Sequence, residues 1–156
     1  MNADPRVMEF LPGVLSVEES NALADRIEAH FERNGFGLCA VELRHSHAFI
    51  GFIGLSTPSF QAHFTPCTEI GWRLAADYWG KGLATEGARE IVHCAFHEWR
   101  LHALVSFTVP ANIRSRHVME KLGMTHDPAD DFVHPSLPEG HRLRRQVLYR
   151  LQGGRG

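Results

Sequence analysis

The sequence has few cysteines, no long apolar run and no excess of charge of one sign. Its three cysteines lack C-x-x-C spacing, so neither a disulfide framework nor a structural zinc site is expected. No stretch approaches the roughly 18 apolar residues of a membrane helix, and residues 1–4 lack the character of a signal peptide. The formal net charge of −2 gives no electrostatic basis for nucleic-acid binding. We therefore expect a cytoplasmic protein that binds neither a membrane nor nucleic acid.

Two common phosphate-binding motifs are also absent, although a glycine-bearing turn is present at residues 78–87. Only Lys81 separates Gly80 from Gly82, which excludes a Walker A loop. The dinucleotide fingerprint needs a small residue where Thr85 stands. The turn follows a strand-like run and opens the longest helical pattern, and the first N–H groups of a helix attract anions. The sequence therefore predicts a phosphate site of another kind.

Metal ligands in a convergent pattern are missing despite eleven histidines. His93 and His97 are four residues apart on a predicted helix, but the zincin pattern His-Glu-x-x-His is absent. His45 and His47 lie in a predicted hairpin turn, where polar residues need no special role. We therefore expect no metal site.

The 156 residues predict a single domain over 1–156, with a disordered tail at 153–156. Ser16 and Glu19 form a capping box for a helix that Gly35 ends, and Leu23 and Ile27 belong to its predicted buried face together with Phe31. Periodicity and turn signals predict, in order, a helix at 17–34, strands at 37–44, 48–56 and 68–75, a helix from 82 or 83 to 99, a strand at 102–109, a helix after the N-cap Asn112, and a strand at 146–151. This order indicates an α/β fold with a mixed sheet.

Three motifs in this order carry a resemblance to a known family. They are EIGWRL at 69–74, YWGKGLATE at 78–86 and the Asn-x-x-Ser of residues 112–115. The sequence resembles the GNAT N-acetyltransferases over residues 2–151, and most of all the RimJ/RimL-like branch named for enzymes that acetylate the N termini of ribosomal proteins. The resemblance implies a mainly antiparallel central sheet with helices on both faces, and acetyl-CoA as cosubstrate.

The resemblance also implies the residues of the cosubstrate site. The backbone amides of the turn would bind the diphosphate, and the residues concerned are Trp79, Gly80, Lys81, Gly82, Leu83, Ala84 and Thr85. Backbone groups of Trp72, Arg73 and Leu74 would pair with the pantetheine arm where two central strands splay apart. Asn112 and Ser115 would reach the arm and its sulfur.

The sequence departs from the family pattern in two places. Relatives usually have a strand and a helix before the segment at which this chain starts, so a misassigned start or a truncated form is expected. We expect a homodimer that covers apolar surface beside Val7, Phe10 and Leu11. Met119 stands where many relatives have a tyrosine that protonates the departing thiolate, and a thioether cannot do this.

Glu69 and Ser115 are the candidate catalytic residues. Glu69 would act as base through a water, because a carboxylate of ordinary pKa is poorly matched to an ammonium; its alternative role is a structural hydrogen bond. Ser115 would donate to the sulfur, or would instead bond the backbone of its own helix.

The function that follows is direct acetyl transfer from acetyl-CoA to a primary amine, with a protein or peptide N-terminal amine favoured. A small-molecule amine is an alternative acceptor. A non-catalytic acyl-CoA-binding module and a nucleotide-binding regulatory domain are the alternatives from other classes.

Overall fold

The computed structural model describes residues 1–154, whose centre is a mixed β-sheet. The helices are α1 (Val17–Asn34), α2 (Leu83–His97) and α3 (Ile113–Lys121). The strands of the described chain are β1 (Leu38–Glu42), β2 (Phe49–Ser56), β3 (Glu69–Leu74), β4 (Ala103–Thr108), β5 (Thr125–His126), β6 (Phe132–Val133) and β7 (Arg145–Gln152). Short 3₁₀ turns cover Ala76–Tyr78 and Pro128–Asp130.

In the described chain the sheet has one parallel junction, between β3 and β4. The strand order is β1-β2-β3-β4-β7-β5, with β6 also paired to β7. Every pair is antiparallel except β3–β4, which is joined through the single register pair Glu69↔Val105. The two strands therefore diverge after their first contact. The predicted α/β fold with a mainly antiparallel sheet is confirmed.

Alternate residues of β3 face two different environments. Ile70 and Leu74 are buried in the core that includes Ala88 and Ile91 of α2. Side chains alternate between the faces of a strand, so Glu69, Gly71 and Arg73 share the opposite face. This second face carries the only charged residues of the strand.

Helix α1 has the predicted bounds and caps. Ser16 Oγ accepts the Glu19 N–H at 3.1 Å, Glu19 Oε2 accepts the Ser16 N–H at 2.8 Å, and Gly35 ends the helix at φ 74°. The prediction of a buried face was wrong, since no residue of α1 is fully buried. Its apolar side chains line a groove against β1 and β2 that the described residues leave partly open.

The C-terminal region differs most from the prediction. Strands β5 and β6 were not predicted, because two-residue strands carry no periodic signal and exist only by pairing with β7. The Gly153 N–H donates to the His102 carbonyl at 2.9 Å. The backbone is therefore still hydrogen-bonded at residue 153, where the disordered tail was predicted to start. Residues 155 and 156 lie outside the described residues. No helix of the described chain is long and apolar enough to cross a membrane.

Candidate active site

A cavity of about 870 Å³ opens where β3 and β4 diverge. Its walls are the exposed face of β3, the starts of α2 and α3, and the N-terminal residues 6–12. This volume is in the range of small-molecule sites, roughly 300–1,000 Å³. The cavity brings together every predicted site residue except Lys81.

The glycine turn enters α2 through two left-handed residues. Gly80 has φ 71° and Gly82 has φ 77°, a region that favours glycine because a Cβ would clash with the backbone. Gly82 is the N-cap of α2 and has no side chain to accept from the first helical N–H groups. These N–H groups, at the positive end of the helix dipole, are available to an anion in the cavity.

Basic side chains line the cavity near this turn, but Lys81 is not one of them. Lys81 Nζ donates to the Asp77 carbonyl at 2.9 Å, outside the cavity lining. Arg114 and Lys121 line the cavity instead, and the Arg114 guanidinium lies 4.2 Å from the centre of the Trp79 ring. Sequence reasoning missed both, although a spacing of seven places them two turns apart on one face of α3.

At its open edge, β3 directs the backbone N–H and C=O groups of Trp72 and Leu74 into the gap. The backbone groups of Arg73 do not point there. The Ala75 N–H donates to Ile50 of β2, whereas the Thr68 carbonyl accepts from Val105 of β4. Backbone groups of alternate strand residues point to opposite neighbours. Those of Arg73 therefore point to β2, which corrects the prediction that Arg73 would pair with the pantetheine arm. The Leu74 carbonyl already accepts from Trp79 Nε1 at 2.9 Å.

Asn112 and Ser115 form a hydrogen-bonded connection between β4, α3 and β3. Asn112 Oδ1 accepts the Ser115 N–H at 3.3 Å, and Asn112 Nδ2 donates to Thr108 Oγ1 at 3.0 Å. Trp72 Nε1 donates to Ser115 Oγ at 3.2 Å. Since this hydroxyl accepts from the indole, its own proton remains available for another acceptor.

Glu69 lies at the point where β3 and β4 begin to diverge. Within residues 1–154 its side chain accepts one hydrogen bond, from Ser56 Oγ, at 3.3 Å from Oε2. Burial raises the pKa of the Glu69 carboxyl to about 7, and the Ser56 bond opposes this only in part. The pKa therefore differs from the ordinary value expected from the sequence. A carboxylate that titrates near neutral pH is a better proton acceptor for an amine.

The raised pKa of Glu69 makes folding stability depend on pH. The folded state holds the Glu69 proton up to about pH 7, whereas an unfolded chain releases it near 4.5. Between about pH 4 and pH 8, we expect the free energy of unfolding of the wild-type protein to fall by up to about 3 kcal/mol more than that of Glu69→Gln. Urea unfolding of both proteins at the two pH values measures this. An identical pH dependence would contradict it.

Met119 also lines the cavity and is only 1% exposed. Its thioether has no proton to give to a thiolate, so protonation needs another group. Ser115 and Tyr78 are two hydroxyl-bearing residues that line the same cavity. Among residues 1–154, no group of three or more His, Cys, Asp or Glu residues could hold a metal ion.

The cavity combines an anion-binding helix start, an open strand edge and a carboxylate of near-neutral pKa. These parts define an enzyme that holds a phosphate-bearing donor beside a group able to take a proton. Residues 1–125 match the family model described as an acetyltransferase (GNAT) domain. The chain belongs to the GNAT acetyltransferase family and is an N-acetyltransferase.

Individual relatives agree with the family match. An uncharacterized N-acetyltransferase of Bacillus subtilis, YnaD, is 30% identical over 151 residues, which are 96% of this chain and 82% of the relative. The FsC-acetyl coenzyme A-N(2)-transacetylase of Aspergillus fumigatus is 45% identical over 95 residues, covering 56% of this chain and 40% of that protein. The crystal structure of a GNAT-family acetyltransferase from Bacillus anthracis superposes with a TM-score of 0.77 at 25% identity, covering 97% of this chain and 84% of that one.

Proposed function

We propose that the protein transfers an acetyl group directly from acetyl-CoA to a primary amine within a ternary complex. The observation that carries this proposal is the position of Glu69, whose pKa is about 7, in the same cavity as the helix start at Gly82. A phosphate-bearing donor and a proton acceptor thus meet in one site. The name of the Aspergillus relative includes acetyl coenzyme A, which supports this choice of donor.

The binding part of the proposal uses the backbone. N–H groups at the start of α2 receive the diphosphate, and Arg114, which lies over the Trp79 ring, adds positive charge beside it. Trp72 pairs with the pantetheine arm along the open edge of β3. Leu74 contributes its N–H there, since its carbonyl is already bonded to Trp79.

The chemical part uses Glu69 and Ser115. Glu69 takes a proton from the acceptor amine, whose nitrogen forms a bond to the acetyl carbon as the carbon–sulfur bond breaks. Ser115 gives its hydroxyl proton to the departing sulfur, and the proton that Glu69 took from the amine returns through water to Ser115. Backbone N–H groups of β3 at the gap stabilise the negative charge that develops on the acetyl oxygen.

The acceptor is the open part of the proposal. A protein or peptide N-terminal amine is favoured by the sequence motifs that resemble the ribosomal-protein branch. A small-molecule amine is the second candidate, because the Aspergillus relative is named as an N(2)-transacetylase of FsC and its name mentions no protein N terminus. The cytoplasmic location and the homodimer stay predictions from the sequence.

A thiol-release assay tests the proposed activity. We expect the protein to release free CoA from acetyl-CoA when a primary amine is added, and to do so only slowly without one, because no cysteine lies in the cavity lining to accept the acetyl group. The panel contains peptides with free and with blocked N termini. It also contains small amines whose remaining part is positively charged, negatively charged or neutral. Release that is equally fast with and without every amine would contradict direct transfer, and CoA binding without release would favour a non-catalytic module.

A further inference from the structure

The side chain of Arg73 is a half-buried cation in the cavity that has no carboxylate partner in residues 1–154. Its Nη1 donates to Asn2 Oδ1 at 3.0 Å, and its guanidinium lies 5.0 Å from the centre of the Phe52 ring. Burial lowers the pKa of the guanidinium, because the charge has lost part of its hydration. Neutral contacts replace that hydration only in part.

The other permanent cations of the cavity lining lie near a carboxylate or are exposed to solvent. Arg6 binds Asp4 at 2.7 Å, and Arg114 lies 3.5 Å from a Glu9 oxygen. Lys121 is exposed at the end of α3. Arg73 is therefore the lining cation most in need of an anion.

The space between Arg73 and Glu69 is open. Both side chains stand on the same face of β3, four residues and about 13 Å apart along the strand. Gly71 lies between them, and a Cβ placed there would have no atom within 4 Å. The residue opposite on β2, Gly54, is covered by the backbone of Gly37 and Leu38, so the open space lies over β3 itself. A ligand above Gly71 can therefore contact the carboxylate at one end and the guanidinium at the other.

We propose that Arg73 binds a carboxylate of the acceptor, so that the acceptor is an amine carrying a carboxylate several bonds away. This rests on the proposed function and specifies its substrate class. The amine lies at Glu69, which is the one acidic residue of the cavity lining in the described chain. Arginine binds a carboxylate through paired N–H groups of fixed geometry, and a partly desolvated pair is stronger than one in water. A diamine would instead bring its second ammonium toward Arg73.

The experiment uses three acceptors of equal length, which are 6-aminohexanoate, its amide and 1,6-diaminohexane. We expect kcat/KM to favour the carboxylate over the amide by about tenfold or more, as for a hydrogen-bonded charge pair. In Arg73→Gln this preference falls to about twofold or less, chiefly through the KM of the carboxylate acceptor. The matched control is Arg26→Gln, which removes an exposed arginine of α1 far from the cavity lining.

Calorimetry on the protein saturated with CoA separates this inference from the proposed activity. The inference is supported if the wild-type protein binds 6-aminohexanoate more tightly than its amide, and if this preference is lost in Arg73→Gln and kept in Arg26→Gln. This result identifies Arg73 as the carboxylate-binding residue even if turnover is not seen. Equal affinity for carboxylate and amide in the wild-type protein overturns the inference, and it does so whether or not acetyl transfer occurs. A preference that persists in Arg73→Gln overturns it as well.

Discussion

Replacing Glu69 with glutamine is expected to lower kcat/KM at about pH 8 by about 100-fold, the lower end of what general-base catalysis contributes. The wild-type rate should rise with pH through about 7, because the pKa of the Glu69 carboxyl is raised to that value by burial. Glutamine has the same shape and no titrating proton. The ratio of wild-type to variant rate should therefore be small at acid pH and reach its maximum above pH 7.

Taking the ratio of the two rates at each pH removes the titration of the acceptor amine, which is common to both proteins. Glu98→Gln is the matched control, since Glu98 is an exposed carboxylate at the end of α2 and does not line the cavity. Its pH profile should follow the wild-type profile. A wild-type to Glu69→Gln ratio that is constant with pH would remove Glu69 from the proton-transfer step.

Replacing Gly82 with alanine is expected to weaken CoA binding by about tenfold or more, as measured by calorimetry. Gly82 has φ 77° at the N-cap of α2 and lines the cavity. An alanine there costs roughly 1–2 kcal/mol of backbone strain. Its methyl group also projects into open space at the point where the N–H groups of α2 meet the diphosphate in the proposed complex.

Gly123→Ala separates the effect on the ligand from the effect on stability. Gly123 has φ 80°, has open space around a Cβ and lies outside the cavity lining. Both alanine variants should lose a similar free energy of unfolding, because they adopt the same left-handed conformation. Only Gly82→Ala should lose CoA affinity. Equal CoA affinity in the two variants would place the diphosphate away from this turn.

Local signals were sufficient to predict the longer helices and strands. The capping box at Ser16 and the glycine at position 35 define α1, because hydrogen bonds within four residues decide where a helix begins and ends. The predicted strand ends differ from the observed ones by at most two residues, for example 68–75 against Glu69–Leu74 and 146–151 against Arg145–Gln152. The paired strands β5 and β6 were missed, because their partner β7 is distant in sequence.

The components of the site were predicted, but their roles depend on packing. Asn112 and Ser115 were assigned to the CoA arm from a motif, and in the structure they also bond Thr108 and Trp72. Lys81 was placed beside the diphosphate by the resemblance to the GNAT family. Its side chain turns outward to Asp77, a direction that no spacing rule specifies.

The sequence by itself determined the order of elements, the left-handed glycines before α2 and the N-cap of α3, since each depends on residues within one or two turns of chain. Only the tertiary structure decided three features of the site. The divergence of β3 from β4 makes the cavity, burial at that point raises the pKa of Glu69, and the alternation along β3 turns the Arg73 backbone to β2 and its side chain to the cavity face. Desolvation and strand pairing arise from residues distant in sequence, and these interactions exist only once the sheet has formed.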